Sequence, residues 1–459
     1  MLRMRLSIFC FPKRSNVCGG DCSSKRIMEE LRVTHDIQVT VAVTVFLLTY
    51  GLIISEKLHR TVAALLGAVL VLFLGIIDQA TAIKAIDFNT IGLLIGMMII
   101  VDITRRTGVF EFLAVKAAKL SKGKPWRIML SLAAITAVTS ALLDNVTTVL
   151  LIVPVTFSIT AELELNPVPF LITQILASNI GGTATLIGDP PNIMIGSATG
   201  LGFMDFVLNL IVPVLITFAV TMWILKLVYR KDMVVSESQK AKILAFDELQ
   251  SIKDYGLLKK SLGVLLLTIL GFVLHQFLHL ESATVALGGA TLLLLITREE
   301  PEDILLAVEW PTLFFFAGLF VLVGALEHVG VIEWVAKESL AATQGAMLQT
   351  SMLILWLSAI ASAFVDNIPF VATMIPLIQK MGEIGGMPDL RPIWWALSLG
   401  ACLGGNGTLI GASANVIVAG LAEKQGVAIS FKGFMKLAFP LMILSICISS
   451  VYIYIAYLR

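Results

Sequence analysis

The chain has 459 residues, 57% of them hydrophobic and only 14% charged, with a mean hydropathy of +0.92. Soluble chains carry about 25% charged residues, so this composition excludes a water-soluble globule. A net charge of +1, with no extended basic face left once the loops are assigned, argues against a nucleic-acid partner.

Residues 1–36 form a polar tail without the apolar core and cleavage site of a signal peptide. Met28, just before the first apolar run, is an alternative start. Cys10, Cys18 and Cys22 lie in this tail, while Cys402 and Cys447 stand alone in apolar stretches, so no disulfide framework or zinc site is predicted. Apolar runs near the 20 residues of a membrane-spanning helix follow at 37–54, 62–77 and 88–104. Asp102 ends the third beside Arg105 and Arg106, as a cap or interfacial pair.

Residues 109–122 are amphipathic, with Phe110, Phe112, Leu113 and Leu120 predicted to face away from Lys116 and Lys119, which suits the membrane interface. The stretch 127–160 is broken at Asp144-Asn145. Too long for one span and too short for two, it reads as a re-entrant hairpin. A span over 168–198 is interrupted by a glycine-rich segment, 204–229 is a full span, and 231–258 is a polar linker whose charges serve solubility. The same series then returns as spans 261–278, 283–297 and 311–326, an amphipathic stretch 331–343, a hairpin 350–379 broken at Asp366-Asn367, an interrupted span 393–419 and a last span 435–457. His275 and His279 are four apart without a third ligand nearby, and no metal site or catalytic group is predicted.

The return is an internal repeat with a register of 222 residues. Gly96, Gly108, Glu111, Asp144 and Asn145 align with Gly318, Gly330, Glu333, Asp366 and Asn367. After one inserted residue, Gly181-Gly182, Thr185-Leu186-Ile187-Gly188 and Asn192 align with Gly404-Gly405, Thr408-Leu409-Ile410-Gly411 and Asn415. Five crossings plus a returning hairpin is an odd number, so the second half enters the membrane inverted. The expected fold is an all-α polytopic membrane protein of about ten transmembrane helices and two re-entrant hairpins. Its domains are a tail (1–36), a first repeat (37–230), a cytoplasmic linker (231–258) and a second, inverted repeat (259–459).

Lys and Arg accumulate in loops 55–60, 105–127, 226–260, 298–310 and 420–436, whereas the opposite side holds Lys84, Lys337, Lys380, Arg391 and Arg459. The positive-inside tendency makes the rich side cytoplasmic.

A carboxylate inside a span costs about 2.5–3.5 kcal/mol on insertion scales and marks a pathway. Asp144, Asp189 and Asp366 each coincide with a predicted backbone break, where free N–H and C=O groups can bind an ion. They are the candidate proton carriers. Asn145, Thr147, Thr148, Thr183, Thr185, Gly188, Asn192, Asn367, Asn406, Thr408, Gly411, Ser413 and Asn415 complete the candidate ion- or substrate-binding set. No nucleotide-binding loop GxxxxGK[ST] occurs, so transport must run on an ion gradient. The chain reads as a transporter rather than an enzyme.

Asp144-Asn145-Val146-Thr147-Thr148, the segment from Asn179 through Gly188-Asp189-Pro190-Pro191 to Asn192, and Gly404-Gly405-Asn406-Gly407-Thr408-Leu409-Ile410-Gly411 resemble the ion transporter superfamily. Within it they are similar to the ArsB/NhaD/melanocyte P-protein branch with a citrate-transporter-like domain. The resemblance implies scaffold and transport domains, elevator-type movement, a homodimer, the plasma (inner) membrane as location, no cofactor, and H+ or Na+ as coupling ion. It also implies a small inorganic solute or cation as cargo. Carboxylate carriers of the superfamily place Ser-Asn-Thr at their hairpin tips, where this chain has Asp144 and Asp366. Proton-coupled export of arsenite or antimonite is the leading expectation, sodium–proton antiport the second and a sodium-coupled citrate-like carrier the third. Some arsenite permeases work with a cytosolic ATPase, and no residue here marks a site for one.

Overall fold

The computed structural model describes residues 20–459 apart from 56, 232 and 246, with side chains from residue 35 onward. Cys10, Cys18, Cys22 and the alternative start at Met28 lie outside the described side chains. The described residues form helices and no strands. The first half comprises α1 (Gly20–Ser55), α2 (Arg60–Phe73), α3 (Gln79–Ala85), α4 (Phe88–Arg106), α5 (Val109–Leu120), α6 (Pro125–Leu142), α7 (Asn145–Glu162), α8 (Val168–Gly182), α9 (Pro190–Thr199) and α10 (Phe203–Tyr229). After α11 (Glu237–Leu244), the second half comprises α12 (Tyr255–Leu274), α13 (Ser282–Thr297), α14 (Pro301–Leu306), α15 (Trp310–His328), α16 (Val331–Thr343), α17 (Met347–Phe364), α18 (Asn367–Gly385), α19 (Arg391–Gly404), α20 (Ser413–Lys424) and α21 (Phe431–Ile453).

The repeat read from sequence reappears in the helix ends: α4 and α15, and α6 and α17, begin and end 222 residues apart. Sequence reading missed the short α3 and α14, which occupy one register position in the two halves. Among the described residues nine helices are long and apolar enough to cross a membrane, and three of these, α6, α7 and α17, are hairpin arms. The remaining six, the shorter α2 and α13, and the interrupted pairs α8–α9 and α19–α20 make the ten expected crossings.

Two packing regions follow. In the first, α4 lies on α13 and α15 lies on α2. These contacts are reciprocal, as a twofold relation between the halves requires. Small residues allow the close approach: a Cβ on Gly96 would lie 2.5 Å from the Ala286 backbone, and one on Gly318 would lie 2.8 Å from that of Ala64. In the second region α6 runs along α8 and α17 along α19, while α7 packs on α20 and α18 on α9. Both hairpin tips end at the interruption of a broken helix and meet there. The hairpins therefore return to their own sides.

Near the predicted cytoplasmic face, Asp102 binds Arg105 and Arg106, the interfacial pairing expected. The linker is docked rather than simply solvated. Glu248 pairs with Lys119, whose hydrogen bond holds that carboxyl below its usual range, and Lys242 reaches Glu164 at 3.4 Å. One expectation fails on α5. Lys116 lies over the Phe112 ring at 5.0 Å, because positions four apart share a helix face.

Candidate transport site

The interruption between α8 and α9 places Asp189, fully buried, at the centre of the molecule. Pro190 and Pro191 follow it as the first two residues of α9, positions where a helix has no use for the N–H groups they lack, which favours a new helix starting here. The hairpin tips form by N-capping. Asp144 accepts from the backbone of Thr147 at 2.8 Å and from its hydroxyl at 2.5 Å. Asp366 accepts from the backbone of Ile368 at 3.1 Å. With the acids turned into the caps, the next residue of each tip reaches the centre. Asn145 and Asn367 both donate to Asp189 Oδ1 at 3.3 Å.

The tips are held against the breaks by a set of contacts made twice. Ser140 donates to the carbonyl of Ser178 at 2.8 Å, and Ser362 to that of Ala401 at 2.6 Å. Thr185 donates to Ala141 O and Thr408 to Ala363 O. Asn192 donates to the carbonyls of Thr183 and Thr185, and Asn415 to those of Gly405 and Thr408. These bonds satisfy backbone acceptors that each break leaves open in a water-poor interior. Gly188 and Gly411 lie in the seam, where a Cβ would come within 2.6 Å of Ser140 O and 2.8 Å of Ser362 O.

A further amide network spans the halves. Asn179, beside Asn145 at 3.4 Å, donates to Asn406 at 3.0 Å and to Asn415 at 2.9 Å. Ser398 donates to Asn192 at 2.6 Å. The Thr183 hydroxyl donates to Asn179 O, and the Thr148 hydroxyl is buried without a partner among the described residues.

Most of the expected residues thus fall into two groups, with Thr147, Thr148 and Asp366 at the hairpin tips outside both. Asp144, Asn145, Asp189, Asn367 and Ser413 line one central void of about 20 Å3. Thr183, Thr185, Gly188, Asn192, Asn406, Thr408, Gly411 and Asn415 lie in the breaks and their seams, with the polar side chains spent on protein partners. Asp366, at the other tip, lies at 2.9 Å from Arg60 and 2.8 Å from Ser413.

Arg60 and Glu309 also line the void, and sequence reading passed over both. Arg60 opens α2, hydrogen-bonds Asp366 and Ser413, and stacks 5.1 Å from the Phe315 ring. By sequence it is one more cation of the 55–60 loop. Glu309 stands at the N-cap position of α15 in the register of Asp87 on α4, and each accepts from the hydroxyl of the threonine three residues on, Thr312 at 3.1 Å and Thr90 at 2.5 Å. That repeated acid–threonine pair was the available signal. A wider cleft of about 280 Å3, lined by His59, Arg60, Asp366 and Ser413, adjoins the void where α1 turns into α2.

This chain and its fold have counterparts among known proteins. Residues 50–400 match the CitMHS model, described as citrate transporter. The chain belongs to the CitMHS family. This CitMHS member is 44% identical over 422 residues to an uncharacterized transporter of Mycobacterium tuberculosis, covering 91% of this chain and 98% of that one. It is 38% identical to the human P protein, covering 93% of this chain and 61% of the P protein. The crystal structure of the Alcanivorax borkumensis YdaH transporter, described as having an unusual topology, shares the fold. The TM-score is 0.56 at 14% identity, over 82% of this chain and 88% of that one. The protein is a multi-pass membrane transporter of the CitMHS family.

Proposed function

We propose that this transporter exchanges a small monovalent cation, sodium or lithium, for protons, with Asp144, Asp189 and Asp366 as the groups that alternate between cation and proton. The observation that carries this reading is the void of about 20 Å3, walled by Asp144, Asp189 and Glu309, with Arg60 bound to Asp366 at its edge. Such a volume holds one water-sized particle. Four carboxylates against one guanidinium favour a cation as that particle, and the amides of Asn145 and Asn367 orient the central carboxylate toward it.

A citrate-like anion fits this site poorly despite the family's description. Each close pair of like charges costs roughly 4 kcal/mol at an effective dielectric near 20, and the one guanidinium is already engaged by Asp366. Arsenite or antimonite export against protons is the second reading. Cys402, whose thiol hydrogen-bonds Asn192 Oδ1 at 3.6 Å beside the central break, supports it, although one thiol leaves the remaining arsenic bonds to oxygen ligands. An elevator-type mechanism, in which hairpins and broken helices move as a body against the scaffold, suits either cargo.

The test is the pH change inside proteoliposomes on adding sodium, lithium or arsenite to the purified chain. Proton movement evoked by sodium or lithium and not by arsenite is expected. A response to arsenite alone would replace the first reading by the second, and a response to citrate alone would sink both.

A further inference from the structure

The two halves of the scaffold are packed alike, but they are used differently. Asp87 and Glu309 occupy one register position, each at the N-cap position of its helix and each accepting from the hydroxyl of the threonine three residues on, while Asp87 alone also accepts from backbone N–H groups. Glu309 faces the central void together with Leu94 and Met98 of α4. Asp87 faces a separate cleft of about 410 Å3 together with Phe320 of α15, the register partner of Met98. The scaffold therefore presents two walls of one design, related by the internal twofold, and only the Glu309 wall has the hairpin tips against it.

The contacts of the moving region are one-sided in the same sense. α9 packs on α4 and α18 on α15, whereas α20 has no comparable packing on α15, nor α7 on α4. Ser197 of α9 binds Asp87 at 2.9 Å, and Asn89 binds Ser197 at 3.1 Å. The register partners of Asn89 and Ser197 are Pro311 and Gly420. A twofold scaffold carrying a twofold transport region in a one-sided arrangement has a second arrangement of equivalent packing, reached by exchanging the roles of the halves.

We infer that the wall around Asp87 is a second docking station for the cargo site: in the opposite-facing state the hairpin tips rest against Asp87 and Phe320, as they now rest against Glu309 and Met98. Asp87 then joins the acids that line the cargo void, Glu309 moves beside Gly420, and Arg60 leaves Asp366. Ser282, the register partner of Arg60, faces Asp144 in its place and supplies no charge. This rests on the exchange reading only in taking the void as the cargo site.

Cysteine pairs in the full chain in proteoliposomes test it without reference to cargo. Asn89→Cys with Ser197→Cys is expected to cross-link in the present arrangement. Pro311→Cys with Gly420→Cys is expected to cross-link in the other, to at least half the extent of the first pair, with turnover arrested in each case. A second pair that links no more than its single-cysteine controls, while the first pair links, would overturn the inference. Kinetics give a second reading. Asp87→Asn is expected to raise the half-saturating cation concentration about tenfold from the Asp87 side and less than twofold from the Arg60 side, with Asp87→Glu restoring it. A purely capping Asp87 would change both sides alike, which would also overturn it. Cross-linking of the second pair in a chain that moves no protons with sodium would refute the cargo and leave the second station standing.

Discussion

The two hairpin tips carry the same dipeptide and keep different company. At the first tip Asp144 bonds only within its own helix, to Thr147. At the second, Asp366 accepts from Ser413 at the start of α20 and crosses to the scaffold to pair with Arg60. Position 369 explains part of this, since Pro369 stands where Thr147 stands in the first half and offers neither hydroxyl nor N–H. Arg60 explains the rest, because its register partner is Ser282. The repeat dictates the backbone of a tip, and a single unrepeated scaffold residue decides the charge it feels.

The comparison can be broken most severely at the group both tips share. Asp189→Asn is expected to lower exchange at least 100-fold, about 2.7 kcal/mol in barrier, with assembly retained by size-exclusion chromatography. Asn145→Leu and Asn367→Leu each remove one amide donor to that carboxylate, a bond of about 1.5–3 kcal/mol, so cation affinity should fall roughly ten- to a hundredfold. Asn145→Leu is expected to be the worse because Asn145 also meets Asn179; equal effects in sodium titrations would show that the amide network adds nothing. Gly188→Ala and Gly411→Ala should cost about 1–3 kcal/mol of thermal stability by overpacking. The Gly188 variant is expected to melt lower, because its seam is the tighter at 2.5 Å from Gly182 O against 2.7 Å from Gly405 O. Arg60→Ser, which makes the second tip resemble the first, should lower the half-saturating sodium concentration from the Arg60 side about tenfold, or about 1.4 kcal/mol. Unchanged sodium dependence there would mean that Arg60 is a strut rather than a counter-charge.

Much of this was legible before any coordinates. Composition and run length gave the ten crossings, and the register of 222 gave the equivalence of α4 with α15 and of α6 with α17. Prolines and glycines marked the break at Asp189 because their backbone restrictions are local. Which polar groups face the cargo was not local. Thr185, Asn192, Thr408 and Asn415 have the chemistry of ligands, yet all four donate to backbone carbonyls, Asn192 and Asn415 within their own breaks and Thr185 and Thr408 on the facing hairpin arms, and only the packed fold decides between the two uses. Arg60 was hidden for the opposite reason. It sits in a short polar turn, where a cation usually meets water, and a contact with a residue 306 positions away makes it part of the site. Glu309 was visible as the partner of Asp87 in the repeat, but an acid at a helix start attracts no notice unless its counterpart is compared.

The amide chain from Asn145 through Asn179 to Asn406 and Asn415 ties the two interrupted helices to each other across the pseudo-twofold. In so dry an interior, parting such groups leaves donors and acceptors stranded, at a cost of about 1–3 kcal/mol each. Any rearrangement that keeps this network intact therefore carries both tips together with Asp189 as one body.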